Sequence, residues 1–534
     1  MSYQGQIANI PLGERALITD LPQSKIDPTS LIEAENVTIA NGVLEKDPGS
    51  IQWNIPPLPS GIKQAIEWRP DAATRRVIVV AKDGKVYRFK NQFSFVEVTP
   101  TGGAPATLDV SGIVTMVPGG EEESNQPRKL FIFSEYNQVQ VIDGDGTTRS
   151  NLSKPPADWT GNSQPIFGII HQGSLYAFGN SNQKHRVYGS SATDHEDFTT
   201  SPFNIEVYPG EGERLISAVV FRGSLFFVKF PSGLYKLEQQ GAATSSWFPT
   251  KLYSTFGGVS PTCIVPVVGD FLVANEYGSI TSVAGTDQFG DVDHADVFHI
   301  LNVQNYARSN ISKQGATERH GIYYKDKKEA LFTFRSLDAT FQNRICRISY
   351  KDPGNPQVMW LLKDQPNCLF LLKDSLGIEK PAYGANDGYI YMMDSPNRWV
   401  GGIETNREEY EMKVQIPHFD LGFGDQSLSE QMKLFDFLEV VYLPTGRYNL
   451  YLDVFLDQKF SETKIVELSG KTSELGASKL NAIKFDQRVE RSKRVRIHGT
   501  GRRISVRARM GTLGNALLVK LKVYYRLASQ RQKE

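Results

Sequence analysis

Four stretches of the sequence repeat one pattern of residues. Each has polar or turn-forming residues ending in Gly, one variable position, an aliphatic residue, an aromatic residue and, two positions later, an apolar residue: KDGKVYRF from Lys82, HQGSLYAF from His171, FRGSLFFV from Phe221 and NDGYIYMM from Asn386. Glycine accepts the positive φ of tight hairpin turns, so the pattern predicts a turn followed by a strand. In the first stretch, Asp83-Gly84 predicts a type I′ hairpin.

The spacing of such hairpins limits the fold. Between about residues 60 and 400, apolar residues alternate at a period of two or form short runs, which indicates strands. Roughly six to eight strand-turn-strand units follow one another there, at spacings near 40–50 residues, the length that four short strands occupy in a propeller blade. We therefore predict an all-β chain with a β-propeller over residues 59–404. The alternative is an irregular sandwich or several small sheets, because the repeat is degenerate; no WD40 signature is present, so the propeller prediction depends on periodicity and spacing alone.

Two regions flank the predicted propeller. Residues 1–58 are rich in Pro, Gly and Asx turn formers and predict an extended N-terminal arm that packs on a platform or on neighbouring subunits. Its apolar residues are too many for a solvated tail and are the predicted contacts: Leu31, Ile32, Val37, Ile51 and Trp53. Residues 405–534 read as strands without the Gly-aromatic pattern and predict a C-terminal β-sandwich.

Composition and motifs favour a protein without chemistry of its own. Lys plus Arg and Asp plus Glu both number 59, and no apolar run is long enough to span a membrane. We expect a soluble protein without an export signal, with three reduced, buried cysteines. We predict no cofactor, no metal and no catalytic residue.

Three stretches imitate chemical motifs. The segment LSGKTSEL, from Leu468, contains Gly-Lys-Thr, but Ile465 stands where a P-loop needs its first Gly. The loop beginning at Asp143 has Lys154 where a calcium loop needs Glu. The pair His294 and His299 is five residues apart, which matches no helical zinc motif. We interpret all three as ordinary turns or loops.

The charge is unevenly distributed along the chain. Residues 484–534 contain 15 Lys or Arg and three Asp or Glu, which makes this end strongly basic and the rest of the chain acidic. We predict that the basic end docks onto an acidic partner, either an adaptor or a neighbouring subunit, through eight residues: Arg491, Lys493, Arg494, Arg496, Arg502, Arg503, Arg507 and Arg509. The alternatives are contact with DNA phosphates and a solvated strand face.

The N-terminal phrase TDLPQSKIDPTSLIEAENVTIANGVLEKDPG resembles the opening of the tail nozzle or hub proteins of short-tailed bacteriophages, also described as packaged-DNA stabilisation proteins. The matching positions of the family pattern are Ala34, Asn36, Val37, Gly42, Leu44, Lys46 and Gly49. Three further stretches, beginning at Gly173, Phe221 and Gly257, are also similar to the family. The chain differs in having few large insertions.

The resemblance implies a structural virion protein of the phage tail, assembled in the cytoplasm of the bacterial host. Such proteins form a homo-oligomeric ring, usually hexameric, below the head-to-tail adaptor ring. The ring continues the channel for double-stranded DNA, closes it until ejection and contacts tail fibre or spike proteins, with no membrane segment. Such a ring uses heterologous interfaces between subunits. A receptor- or carbohydrate-binding propeller of a tail is the alternative, and a propeller hydrolase is a third.

Overall fold

The computed structural model of the chain describes residues 5–12, 17–22, 25–40, 42–119, 128–144, 146–200, 203–239, 244–254, 256–284, 297, 303–351, 356–395, 400–401, 407–421, 429–443, 445, 447–469, 490–511 and 517–528. These residues are mostly in β-strands. Among them, α1 (Gln304–Asn310) is an α-helix, and short 3-10 turns cover Thr244–Ser246 and Ala316–Glu318.

Short strands begin near the N-terminus and continue through the region of the repeated pattern. The first five are β1 (Gln6–Pro11), β2 (Glu33–Glu35), β3 (Val37–Ala40), β4 (Val43–Lys46) and β5 (Gly49–Gln52). The first four blades contain β6 (Ile62–Trp68), β7 (Arg76–Ala81), β8 (Val86–Asn91) and β9 (Ser94–Glu97); β10 (Thr99–Pro100), β11 (Val114–Pro118), β12 (Leu130–Ser134), β13 (Asn137–Ile142) and β14 (Thr148–Asn151); β15 (Phe167–His171), β16 (Ser174–Phe178), β17 (Arg186–Gly189) and β18 (Phe203–Glu206); and β19 (Arg214–Phe221), β20 (Ser224–Phe230), β21 (Leu234–Gln239) and β22 (Trp247–Tyr253).

Three more blades and the C-terminal strands follow. The blades contain β23 (Ile264–Val267), β24 (Asp270–Ala274) and β25 (Ile280–Ser282); β26 (Gly321–Tyr324), β27 (Glu329–Phe334), β28 (Arg344–Ser349) and β29 (Gln357–Leu361); and β30 (Cys368–Lys373), β31 (Glu379–Gly384), β32 (Ile390–Ser395), β33 (Val400–Gly401) and β34 (Arg407–Glu408). The last strands are β35 (Met412–Gln415), β36 (Lys433–Leu443), β37 (Arg447–Leu456), β38 (Lys459–Ser469), β39 (Arg491–Gly501), β40 (Ile504–Met510) and β41 (Leu517–Leu527).

The seven sheets form a closed β-propeller, which confirms the predicted fold class. The innermost strands are β6, β11, β15, β19, β23, β26 and β30; each contacts the next, and β30 returns to β6. Apolar cores separate neighbouring blades: Ile132 of the second blade packs with Ile78 of the first, and Phe370 of the seventh packs with Val79 of the first. Both faces of each sheet are therefore covered, as radial stacking requires.

The repeated pattern marks a hairpin turn and the strand that follows it. It enters the second strand in the third and fourth blades and the third strand in the first and seventh. The predicted type I′ turn at Asp83-Gly84 is wrong, because only Gly84 has positive φ there, whereas both central residues do in the turns before β16 and β20. Asp83 instead accepts a hydrogen bond from the backbone N–H of Lys85 at 3.0 Å, an Asx turn that holds its own backbone at negative φ.

The C-terminal strands form a two-layered sandwich. One sheet has the order β3-β4-β41-β36-β39, with β1 also paired to β41, and the other contains β35-β40-β37-β38. Leu438 and Leu521 of the first sheet and Leu452 and Val506 of the second belong to one buried cluster. This cluster continues into the sixth blade through Trp360, so the sandwich and the propeller share a core.

The N-terminal segment is not a separate arm, and this corrects the predicted domain boundaries. Strands β1, β3 and β4 complete the first sheet of the sandwich, and β5 pairs with β32 of the seventh blade, with Ile51 opposite Met392. Between them, β2 joins β29 to β35, so that a single nine-stranded sheet runs from β26 to β38. Extended segments with unpaired backbone groups pair most readily with free sheet edges, and the nearest edges belong to the same chain.

The predicted contact residues of the arm are therefore used within their own chain. Leu31 and Val37 are fully buried in the shared core. Ile51 and Trp53 pack against the core between the seventh and first blades, and the half-buried Ile32 donates its backbone N–H to Gln415 at 2.8 Å. Burial removes Leu31 and Val37 from contact with neighbouring subunits, which corrects their predicted role, whereas for the half-buried Ile32, Ile51 and Trp53 that role stays a prediction.

Candidate functional site

A buried ionic cluster holds the N-terminal segment to the sixth blade. Asp47, at the end of β4, lies 2.5 Å from Arg347 of β28 and 3.4 Å from the Lys363 ammonium. Arg347 also approaches Glu329 at 3.5 Å, and Lys363 lies 2.5 Å from Asp364. Burial alone would raise the pKa of Asp47, but the two cations outweigh it and the pKa is lowered. Burial raises the pKa of Glu329.

Hydroxyl groups of the same segment complete this cluster. Thr38 donates to Asp47 at 2.7 Å and accepts a hydrogen bond from Arg347 at 2.7 Å. Ser50 donates to Asp364 at 2.6 Å. Because buried charges are costly unless paired and hydrogen-bonded, the cluster selects one arrangement of β3, β4 and β5 against the propeller.

The predicted docking residues divide into two groups. In the first group, acids of the same chain neutralise the guanidinium. Arg509 donates two hydrogen bonds, of 2.7 and 3.0 Å, to the carboxylate of Asp453, and Arg507 lies 2.7 Å from Glu33 of β2. The linear count of charge overstates the exposed charge, because β40 pairs with β37, which carries Asp453, and is separated only by β35 from β2, which carries Glu33.

Arg494 belongs to the same group. Its guanidinium donates to Glu439 at 3.0 Å and to the Tyr524 hydroxyl at 2.7 Å, and Lys522 lies 2.9 Å from the other oxygen of Glu439. Burial alone would raise the pKa of Glu439, but the hydrogen bonds from these partners lower it to about 2. This carboxylate fixes three neighbouring side chains on the outer face of the first sheet.

The second group lies along β39 and the turn after it. Arg491, Lys493 and Arg496 are exposed on β39, which ends the first sheet among the described strands. Arg491 donates to the backbone carbonyl of Ser469 at 3.1 Å. An 11-residue strand is about 35 Å long, so these cations form a row rather than a compact patch.

The turn between β39 and β40 presents two further cations. One carboxylate, that of Asp457, accepts the backbone N–H groups of both Arg502 and Arg503 at 2.9 Å, while Arg502 is exposed and Arg503 half-buried. Asp457 lies in the turn between β37 and β38, where its φ is 47°. The turn is therefore fixed, and the basic edge, as we call Arg491, Lys493, Arg496, Arg502 and Arg503, is presented by ordered backbone.

A cavity of about 330 Å³ lies on the propeller axis, where the innermost strands begin. Six of the seven blades contribute to its wall, from the start of β6 round to the residues before β30. Two ion pairs line it: Arg214 with Glu135 at 2.7 Å, and Lys63 with Glu318 at 3.2 Å. We refer to this space as the axial cavity. The sequence did not single out these residues, because each comes from a different blade and none forms a local motif.

The motifs weighed from the sequence yield no site in the described part of the chain. His294 and His299 lie outside the described residues, as does the Gly-Lys-Thr stretch after Ser469. Asp143 accepts the backbone N–H of Gly144 in a turn. No group of three or more His, Cys, Asp or Glu side chains with metal-binding geometry occurs among the residues described above.

Two further findings concern the cysteines and the helices. Cys263, Cys346 and Cys368 are buried and free of disulfides, and burial raises the pKa of Cys368 to about 12. Among the described residues, no helix combines the length and apolar character needed to cross a bilayer.

Comparison with known proteins returns likenesses of fold. No family model and no curated protein matches the chain. The WD40 β-propeller domain of Doa1 is 12% identical over 64% of this chain and 96% of its own, with a TM-score of 0.37. YCF48 from Cyanidioschyzon merolae is 11% identical over 64% and 98%, with a TM-score of 0.37. An exo-β-1,3-galactanase from Phanerochaete chrysosporium is 10% identical over 90% and 100%, with a TM-score of 0.30. Likenesses this distant carry no argument about activity, substrate or partner.

Proposed function

We propose that this protein is a ring-forming nozzle or hub subunit of a short-tailed phage tail, attached to an acidic head-to-tail adaptor by its basic edge. The observation that carries the docking is the row of exposed cations on β39 and the following turn, where Asp457 fixes the backbone. Charge complementarity of this kind sets orientation and association rate. The assignment to a phage tail rests on the resemblance of the N-terminal phrase.

The fusion of propeller and sandwich supports a structural role. A subunit of a ring must transmit load between its interfaces, and here one nine-stranded sheet connects the sixth blade to the sandwich. The role requires no cofactor and no catalysis. On this proposal the subunits assemble as a ring, hexameric by the resemblance, around the passage for double-stranded DNA, and contact fibres or spikes in the virion.

The structure reduces the number of predicted docking residues that are suitable for a mutational test. Arg507 and Arg509 hold their own chain together, so reversing their charge would confuse folding with docking. Arg496, Arg502 and Arg503 form no ion pair among the described residues. A variant with these three changed to Glu should fold like the wild type and lose attachment to the adaptor ring of the same phage, measured by co-sedimentation of the purified proteins.

A matched control changes three exposed cations of the propeller: Arg75, Lys90 and Lys325 to Glu. It alters the net charge equally and should leave attachment intact. Undiminished attachment of the basic-edge variant would reject docking through this edge. Retardation of duplex DNA by the wild type, weakening by roughly 0.9 log unit per phosphate contact for each tenfold rise in salt, would favour the DNA alternative.

A further inference from the structure

The axial cavity is large enough to hold a small organic molecule. Its volume of about 330 Å³ lies within the range of sites for small organic ligands. Its wall combines apolar residues with buried polar ones, the composition typical of such sites. A role in ring assembly does not call for a cavity of this kind.

Two aromatic side chains line the cavity and remain partly exposed to solvent. Tyr136 of the second blade is 37% exposed and Phe230 of the fourth is 38% exposed. An added Cβ at Gly112 would lie 2.7 Å from the ring of Tyr136 and 2.8 Å from a carboxylate oxygen of Glu135, so a glycine leaves space for both side chains. The negative face of an aromatic ring attracts polarised C–H groups, which line one face of a pyranose ring.

The remaining wall is polar and buried. His320, Gln342 and Asn367 are 7%, 2% and 9% exposed. Burial lowers the pKa of His320 to about 3, so its imidazole is neutral near pH 7 and offers one donor and one acceptor. His320 Nδ1 and Gln342 Oε1 have no hydrogen-bond partner among the described residues. Unpaired buried groups are costly, and a hydroxyl in the cavity would relieve that cost after a small rotation of either side chain.

The charges at the cavity favour an anion. Three cations, Lys63, Lys82 and Arg214, face two acids, Glu135 and Glu318. Lys63 and Arg214 are each paired with one of the acids. The Lys82 ammonium donates to the side-chain oxygen of Asn386, and it forms no ion pair within 4 Å among the described residues; burial lowers its pKa, and the charge of Glu318 only partly offsets this. One positive charge is therefore left for a ligand.

We propose that the axial cavity binds an acidic saccharide, with the sugar ring packed on Tyr136 or Phe230 and its carboxylate near Lys82. The aromatic residues select a sugar ring over an open-chain acid, and the third cation selects a uronic acid over a neutral sugar. The inference concerns a different part of the molecule from the docking surface and does not depend on it.

The test is binding of D-glucuronate and D-galacturonate to the full chain, followed by calorimetry and by saturation transfer in NMR. At least one uronate should bind about tenfold more tightly than D-glucose, the change that about 1.4 kcal/mol from one charge-assisted contact produces. Succinate, which carries carboxylates without a sugar ring, should bind more weakly than the uronate. Equal binding of succinate and uronate, or saturable binding of neither uronate, would overturn the proposal.

Three variants locate the site. Tyr136→Ala or Phe230→Ala should weaken uronate binding, whereas Phe248→Ala, on the outer strand of the fourth blade and 45% exposed, should not. Lys82→Gln should reduce the preference for uronate over glucose to about one, because it removes the unpaired charge. Uronate binding that is unchanged in Tyr136→Ala, Phe230→Ala and Lys82→Gln would place the sugar elsewhere and refute the site.

Discussion

Replacing Arg347 by Met should release the N-terminal segment from the propeller. The side chain is buried and makes three contacts in the ionic cluster, to Asp47 at 2.5 Å, to Glu329 at 3.5 Å and to Thr38 at 2.7 Å. Met is similar in length but carries no charge, so two buried carboxylates lose their shared cation. Breaking a buried pair in this way costs about 3–5 kcal/mol.

The loss of stability should be measurable at β5, the strand that pairs with β32 of the seventh blade. Amide hydrogen exchange of Ile51, opposite Met392, reports the opening of that strand. A loss of about 3–5 kcal/mol accelerates exchange by roughly two to three and a half orders of magnitude, if opening of the segment limits exchange. The control is Arg447→Met, at a 79% exposed side chain paired with Glu467 on the surface, which should leave exchange of Ile51 unchanged.

The pH dependence gives a second readout of the same variant. In the wild type the pKa of Asp47 is depressed, so its contribution to stability is complete above its unfolded pKa of about 4 and is lost as the pH falls. Without Arg347, burial should raise that pKa instead, and the carboxylate then destabilises the fold at pH 7. The gap between variant and wild type should narrow as the pH falls from 7 to about 4. Unchanged exchange of Ile51, or a gap that widens with acidity, would refute the reasoning.

Three further predictions concern the sandwich and the turns. Arg509→Glu should lower the denaturant midpoint because it sets carboxylates together, whereas Arg502→Glu at the exposed turn should not. The pKa of Glu439 is about 2, so its stabilisation is present above about pH 4.5 and lost as the pH falls toward 2; Glu439→Gln should flatten acid unfolding over this range. Gly388→Ala, at φ +82°, places a Cβ 2.4 Å from a backbone oxygen, whereas the Cβ of Gly377→Ala, at φ +80°, meets nothing within 4 Å. Both substitutions strain the backbone, but only Gly388→Ala adds a steric clash, so it should lower the melting temperature more than Gly377→Ala.

The sequence predicted the local structure better than the pairing of distant segments. Turn glycines such as Gly84 and the alternating strands after them are specified within a few residues, and they led to the propeller. The pairing of Ile51 with Met392 depends on the sheet edge that remains free once the seven blades have closed. No short stretch of the sequence specifies it. For this reason the N-terminal residues were predicted as an arm for other subunits, although they complete two sheets of their own chain.

Contacts between distant segments also decided how well the two candidate sites could be predicted from the sequence. A basic stretch is visible in the sequence, but whether each cation is free depends on the strand beside it: Arg509 faces Asp453, whereas Arg496 lies on the last described strand of its sheet. The axial cavity is harder still to predict from the sequence, because the two residues of its ion pair, Arg214 and Glu135, lie in different blades and are 79 residues apart in sequence. Only the closed ring brings such residues together.

The continuous sheet from β26 to β38 also constrains how a ring of these subunits could open. It begins beside the axial cavity, contains β2 of the N-terminal segment, and ends next to β39, whose His498 N–H bonds to Glu462 of β38 at 2.9 Å. Bending between propeller and sandwich would break the ladder on both sides of β2 and separate the buried cluster around Asp47. Rotation of whole subunits disturbs neither. If the proposed function holds, we expect the DNA passage to open by rigid-body rotation of subunits about their interfaces, with the basic edge as the attached side.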